Sequence, residues 1–219
     1  MVPAIPLGAN VKISAFKVGP DSRLYVFADT TDVPPLKIGW TSCRNLAGMF
    51  IGETLGEMKP TGSDKKGANA AWEKGSFIGQ KTLVQIVDNK CNIESITLES
   101  LPAYEAMVDA ARKDKIVVAL RSGFRTFGEE FLHNGFVAKK PGFATAAKPG
   151  FSNHQHGQAF DLDVGGFDGD PVYDWLKTHG PGLGFIRTVN KEPWHWEFRP
   201  TDAAALAAKG KHKAAGVTK

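Results

Sequence analysis

The reading of this chain turns on Ser152-Asn153-His154-Gln155-His156-Gly157-Gln158-Ala159-Phe160-Asp161, taken together with Glu192-Pro193-Trp194-His195. The two stretches supply imidazoles and a carboxylate able to bind a metal. They also supply a second carboxylate, Glu192, three residues before the last histidine and able to move protons. A catalytic zinc site needs three protein ligands, one position left for water, and a nearby general base. Phe160-Asp161-Leu162-Asp163-Val164 reads as a strand, and an inward carboxylate in an apolar strand is costly unless a cation or hydrogen bonds compensate. On the residues alone His156 rivals His154, because alternate strand residues share a face, and Asp163 rivals Asp161. Gly157 and Ala159 are small, as expected where backbone passes close to a metal.

Outward from these stretches, strands and helices mix. Leu83-Val84-Gln85-Ile86-Val87 is an apolar, β-branched run closed by the turn pair Asp88-Asn89. Ser100 is placed to cap a helix with Pro102 in its first turn, along which Tyr104, Met107, Val108 and Ala111 form one apolar face. Ile116 to Leu120 reads as a strand, Glu129 to Ala138 and Pro171 to Thr178 as helices, and His195-Trp196-Glu197-Phe198 as a final strand. The class is α+β.

Toward the N-terminus, Val11-Lys12-Ile13-Ser14-Ala15-Phe16 alternates as a half-buried strand does. Arg23 to Phe27 and Leu36 to Trp40 are further short runs between turn residues. Residues 1–60 read as a small β module, or as strands that decorate the main domain. Residues 61–70 are polar and glycine-containing and read as a linker, residues 71–200 as the main domain, and residues 201–219 as a frayed basic tail rich in Ala, Lys and Gly. Cys43 and Cys91 lie far apart and fit no zinc clip or redox motif, so they read as free thiols of a protein made in a reducing cytosol.

The pattern Ser-x-His-x-x-Gly-x-Ala-x-Asp over 152–161, followed by Glu-x-Trp-His over 192–195, resembles the M15 zinc peptidases. These are the D-Ala-D-Ala carboxypeptidases and L-Ala-D-Glu endopeptidases that cleave peptidoglycan peptides. The likeness runs from Glu94 to Phe198 and includes Ser122-Gly123-Phe124-Arg125-Thr126 at the usual upstream place. It implies a small antiparallel sheet with helices packed on one side, and one zinc held by His154, Asp161 and His195. It makes Glu192 the base that takes a proton from the attacking water and later passes it to the leaving amine. Arg125 would hold a substrate oxygen and stabilise the developing oxyanion. Ser152 would bond the substrate or steady its loop. Glu197 shares a strand face with His195, and reads either as a support for that imidazole or as a solvated surface carboxylate. Many relatives carry Gln where this chain has Glu130, a substrate-facing position at which a carboxylate would repel an anionic group. Ile38-Gly39-Trp40-Thr41-Ser42 before Asn45-Leu46 resembles the end of a bacterial SH3-like domain, a type of module that often holds cell-wall material.

Composition narrows the partners. Hydrophobic residues make up 42% and charged residues 23%, with a net charge of +4 and a pI near 9.0. No apolar run is long enough to span a bilayer, so no stable membrane association is expected. No aromatic-basic interleaving points to nucleic acid. Met1 to Pro20 lacks the pattern of a secretory signal. The expectation is a monomeric, wall-lytic enzyme made in the cytoplasm, reaching peptidoglycan as a phage endolysin or an injected toxin effector. A different class of reading is a zinc-containing binding module of the same fold without catalysis, against which both Glu192 and Arg125 argue.

Overall fold

The computed structural model describes residues 11–21, 23–30, 38–45, 53–60, 65, 67–87, 91–137 and 146–209. The chain divides into two units, Met1–Phe50 with Asn89–Asn92, and Ile51–Asp88 with Ile93–Lys219. In the first unit, β1 (Val11–Val18), β2 (Leu24–Thr30) and β3 (Ile38–Ser42) form an antiparallel sheet in that order. Leu24, Val26 and Ala28 alternate inward along β2, and Phe27 meets Trp40 edge to face at 5.4 Å. These three strands overlap the three short runs expected there, although Leu36 and Lys37 of the third run, and Leu46 beyond it, lie outside the described residues.

The cysteines depart from expectation. Cys43 and Cys91 form a disulfide with Cα atoms 5.9 Å apart, so they are not free thiols. A separation of 48 residues hides a pair that only folding brings together.

The second unit begins earlier than the sequence suggests. Its elements are β4 (Glu53–Met58), β5 (Ala70–Glu73), β6 (Ser76–Gln80), β7 (Leu83–Val87) and β8 (Ile93–Thr97). After these come α1 (Leu101–Lys113), β9 (Leu120–Ser122), α2 (Phe127–Val137) and α3 (Asn153–His156). The chain ends with β10 (Ala159–Leu162), α4 (Pro171–His179), β11 (Phe185–Arg187), β12 (His195–Phe198) and α5 (Pro200–Ala208). β7 is buried on both faces and takes a neighbour on each side, giving the sheet β4-β7-β8. The strand at Glu53–Met58 therefore belongs here and not to a module ending at residue 60. The expected linker is also partly built in: buried Asn69 donates its side-chain amide to Met58 O at 2.7 Å and Lys81 O at 2.8 Å. Residues 61–64 and 66 of that stretch lie outside the described residues.

The sheet that positions the site is antiparallel, in the order β11-β12-β10-β9. One face is apolar. Phe160 and Leu162 of β10 and Trp196 of β12 are buried against α1 and α4, with Phe160 stacked on Tyr104 at 5.9 Å and Trp196 meeting Tyr173 at 6.3 Å. The helical face of Tyr104, Met107, Val108 and Ala111 is buried as its spacing predicts. Ser100 does precede that helix, but its hydroxyl donates to Thr97 O at 2.9 Å instead of capping, because a 3-10 turn at Leu98–Ser100 already leads into the first turn. Thr126 and Glu129 form a reciprocal capping box, Glu129 N to Thr126 Oγ1 at 3.2 Å and Thr126 N to Glu129 Oε2 at 2.7 Å, so α2 starts ahead of the expected Glu129.

Two further differences have simple causes. Val118 and Ala119 are buried, but ladder pairing begins only at Leu120, since β10 is short and its register shifts between Asp161 and Leu162. The expected frayed tail contains α5, whose Ala203 is fully buried against the turn Gly180–Leu183 and β11. Alanine's small side chain permits that close approach without an apolar stripe to announce it. Residues 210–219 lie outside the described residues, among which no helix is long and apolar enough to cross a membrane.

Candidate active site

Strand alternation that sends Phe160 and Leu162 into the core turns Asp161 to the opposite face. There it stands directly across from His195 on β12 and from Ser122 on β9. Cross-strand neighbours have Cβ atoms about 5 Å apart, close enough for their side chains to share one ion. His154 comes from α3, a single turn that hangs beside this face. Ser152 caps it, its Oγ accepting from His154 N at 3.3 Å. Gly157 ends it in a left-handed conformation, φ 88°, and a Cβ at that position would lie 2.5 Å from Thr97 Cγ2. The small residue thus serves a helix end and a close packing contact.

His154, Asp161 and His195 present ligand atoms that all lie within 4.8 Å of one another. Asp161 Oδ1 is 3.4 Å from His154 Nε2 and 3.0 Å from His195 Nδ1. Zinc bonds of about 2.0–2.2 Å in tetrahedral arrangement place neighbouring ligand atoms about 3.3 Å apart, so this spacing fits the ion. His154 Nε2 supports the same fit: it is buried and has no hydrogen-bond partner. The other nitrogen of each imidazole is held. His154 Nδ1 is 2.7 Å from Gly123 O, and His195 Nε2 is 3.3 Å from Glu197 Oε1. Such outer partners fix the ring orientation and select the nitrogen that faces the metal.

The electrostatics favour a cation. Burial opposes the Asp161 charge, but the two imidazoles outweigh it and hold the carboxyl well below the usual carboxylate range. Burial likewise disfavours charge on His195, but hydrogen bonds with Asp161 and Glu197 raise its pKa to about 9. Glu197 is lowered to about 2: burial works against ionisation, and bonds from His195, Thr188 and Asn153 more than reverse it. A metal ion would therefore replace a proton already drawn between two carboxylates.

The remaining expected residues take distinct places. Glu192 Oε2 lies 3.9 Å from His195 Nδ1, partly open to solvent and beside the ligand set. Glu197 is 1% exposed and is no solvated surface group. Asn153 Nδ2 donates to it at 2.5 Å, Thr188 Oγ1 also donates, and Arg199 approaches its second oxygen at 3.7 Å. Arg125 follows β9 and is tied to the ligand helix by its backbone N–H, which reaches His154 O at 3.3 Å. Its NH1 pairs with Glu130 Oε2 at 3.2 Å, and Glu130 is itself buried. The rivals stand apart from the cluster. His156 Nε2 lies 3.9 Å from Glu73, and Asp163 lies 3.7 Å from Arg121.

Gly123, Asn153 and Thr188 were not singled out as site residues by sequence reasoning. Gly123 had one available signal, its place between Ser122 and Phe124. A Cβ there would come within 2.1 Å of Ser95 O, so only glycine lets this strand end reach its position under His154.

Comparison with known proteins agrees with this geometry. Residues 94–201 match the family model described as VanY, D-alanyl-D-alanine carboxypeptidase. A D-alanyl-D-alanine carboxypeptidase of Enterococcus faecalis is 27% identical over 208 residues, which cover 83% of this chain and 77% of that protein. The solved structure of VanYB in complex with D-Alanine-D-Alanine is similar with a TM-score of 0.50 and 26% identity, covering 64% of this chain and 91% of that one. A variant of the vancomycin resistance D,D-pentapeptidase VanY in complex with Zn(II) is similar with a TM-score of 0.51 and 26% identity, covering 64% and 93%. With its two histidines and aspartate gathered on one sheet face inside the matched segment, residues 94–201 form a domain of the VanY D-alanyl-D-alanine carboxypeptidase family, among the M15 zinc peptidases.

Proposed function

We propose that the chain is a zinc-dependent peptidase that hydrolyses the stem peptides of peptidoglycan. The observation that carries this reading is the convergence of His154 Nε2, Asp161 Oδ1 and His195 Nδ1, with Glu192 beside them. Zinc bound by these three residues would supply a Lewis acid and lower the pKa of a water to about 7. Glu192 takes the proton of the attacking water and returns it to the leaving amine. It is close enough to His195 to reach a molecule in the site, yet outside the ligand set. Arg125 holds the substrate oxygen, with its backbone fixed to the ligand helix. Gly123 O and Glu197 keep the imidazoles aimed, and Ser152 acts by capping α3.

The disulfide between Cys43 and Cys91 supports action outside the reducing cytosol, where peptidoglycan lies. The first unit, with its exposed Trp40, is read as a module that keeps the enzyme on the wall, and the overall role as wall degradation. Digestion of purified peptidoglycan followed by mass spectrometry of the fragments tests the reading. Loss of D-Ala or cleavage within the stem, abolished by a chelator and restored by zinc, is the expected result. Intact stem peptides after treatment with the zinc-loaded protein would refute it and leave the non-catalytic binding module.

A further inference from the structure

The helix that carries His154, α3, is a single turn, too short to hold an orientation of its own, so its neighbours decide where His154 stands. Asn153 ties it to Glu197 of the site sheet. The β5–β6 hairpin, which comes before the matched segment 94–201, packs against it as well.

The hairpin closes through Lys74-Gly75, both with positive φ, between the paired residues Glu73 and Ser76. Its tip grips the loop that leads into α3. Gly75 N donates to Gly150 O at 2.8 Å, and the Phe151 ring lies across Gly75, where a Cβ would come within 2.8 Å of Phe151 Cζ. A Cβ on buried Gly150, φ 90°, would stand 3.2 Å from Gly75 Cα, so backbone meets backbone with no room for a side chain. Gly150 N then donates to Gln155 Oε1 at 2.5 Å, and Gln155 is fully buried in α3, next to His154. The path from hairpin tip to α3 is two hydrogen bonds long.

A second contact starts from β5 itself. Ala71 packs with Phe124 and Leu83 in a small buried cluster. The residue before Phe124 is Gly123, whose carbonyl holds His154 Nδ1 at 2.7 Å. His156 of α3 also meets the hairpin, its Nε2 lying 3.9 Å from Glu73 Oε2.

Resting on the zinc site of the peptidase reading, we propose that the β5–β6 hairpin is a positioning element for that site: the junction of Gly75 with Gly150 and Phe151 sets where α3 presents His154, so residues that touch neither metal nor substrate govern zinc affinity. A small displacement suffices, because metal–ligand distances tolerate only about ±0.2 Å.

The test uses the full-length chain and three variants. Gly150→Ala drives a methyl group against the Gly75 backbone. Phe151→Ala, at a position 55% exposed, loosens the same junction without strain, and so tests it should Gly150→Ala not fold. Gly79→Ala is the control: it puts the same kind of backbone strain into β6, φ 108°, but its Cβ would meet nothing within 4 Å. Zinc affinity is measured by competition with a chelator, and the stability of the metal-free protein by thermal unfolding. Gly150→Ala should bind zinc about 10–100-fold more weakly, the usual effect of disturbing a support behind a metal ligand, and Phe151→Ala should weaken binding in the same direction. Gly79→Ala should melt earlier yet bind zinc as the native protein does. Cobalt(II) in place of zinc reports ligand geometry through its visible absorption, which should change in Gly150→Ala and stay native in Gly79→Ala. Native affinity in folded Gly150→Ala or in Phe151→Ala, or an equal loss in Gly79→Ala, overturns the inference and leaves the peptidase reading intact. These affinities are read without substrate, so native protein that binds zinc but leaves stem peptides whole refutes the peptidase reading alone, and native protein that binds no zinc refutes both.

Discussion

The two faces of the sheet β11-β12-β10-β9 are made by the same strands and behave as opposites. On one, Phe160, Leu162 and Trp196 pack into a dry core against α1 and α4. On the other, Asp161, His195 and Glu197 stand in a line of close polar contacts, each position one residue away from a core position. A period of two is enough to separate stability from chemistry along one strand. The apolar face needs only correct volume. The polar face needs each nitrogen and oxygen to have a named partner, and His154 Nε2 lacks one until a metal is present.

The comparison is broken most completely at the polar face. His195→Ala removes one of three ligands, so zinc content measured by atomic emission should fall to a small fraction of the native value and hydrolysis should disappear, with the apolar face and the fold retained. Native zinc occupancy in that variant would take His195 out of the ligand set. Glu192→Ala should keep zinc and lose about 10²–10⁴-fold in turnover, the usual worth of a positioned acid–base group. Near-native turnover there would move the proton transfer to another group.

The apolar face should fail in the other manner. Phe160→Ala leaves a cavity between Tyr104 and Phe185 and should cost about 3–5 kcal/mol in denaturant unfolding, while the fraction that remains folded keeps its zinc. Loss of zinc from folded protein would show that the two faces are not independent. A milder perturbation is Glu197→Ala, which frees His195 Nε2 and should weaken zinc binding about 10–100-fold in competition with a chelator. An unchanged affinity would mean that β12 alone orients the ring.

Much of this contrast is legible in the sequence, because local periodicity encodes it. The alternation of Phe160-Asp161-Leu162 and of His195-Trp196-Glu197 is enough by itself to separate the two faces, and the helical spacing from Tyr104 to Ala111 does the same for α1. What stays hidden depends on partners distant in the chain. The pairing of β4 with β7 requires a neighbour about thirty residues away and leaves no local sign in Glu53–Met58. The disulfide needs Cys43 and Cys91 brought together by the fold. α5 docks through a small buried alanine, which composition reads as tail. Within the site the ligand types are visible, whereas their supports are a backbone carbonyl at Gly123 and short polar side chains at Asn153 and Thr188, which carry no motif.

The most direct test is anomalous X-ray diffraction at the zinc edge from crystals of the zinc-loaded protein. The account predicts one strong peak in the second unit, at about 2.0–2.2 Å from His154 Nε2, an Asp161 oxygen and His195 Nδ1, with His195 Nε2 still facing Glu197. A peak on His156 or Asp163, or on His195 Nε2 with Glu197 as a ligand, would contradict it.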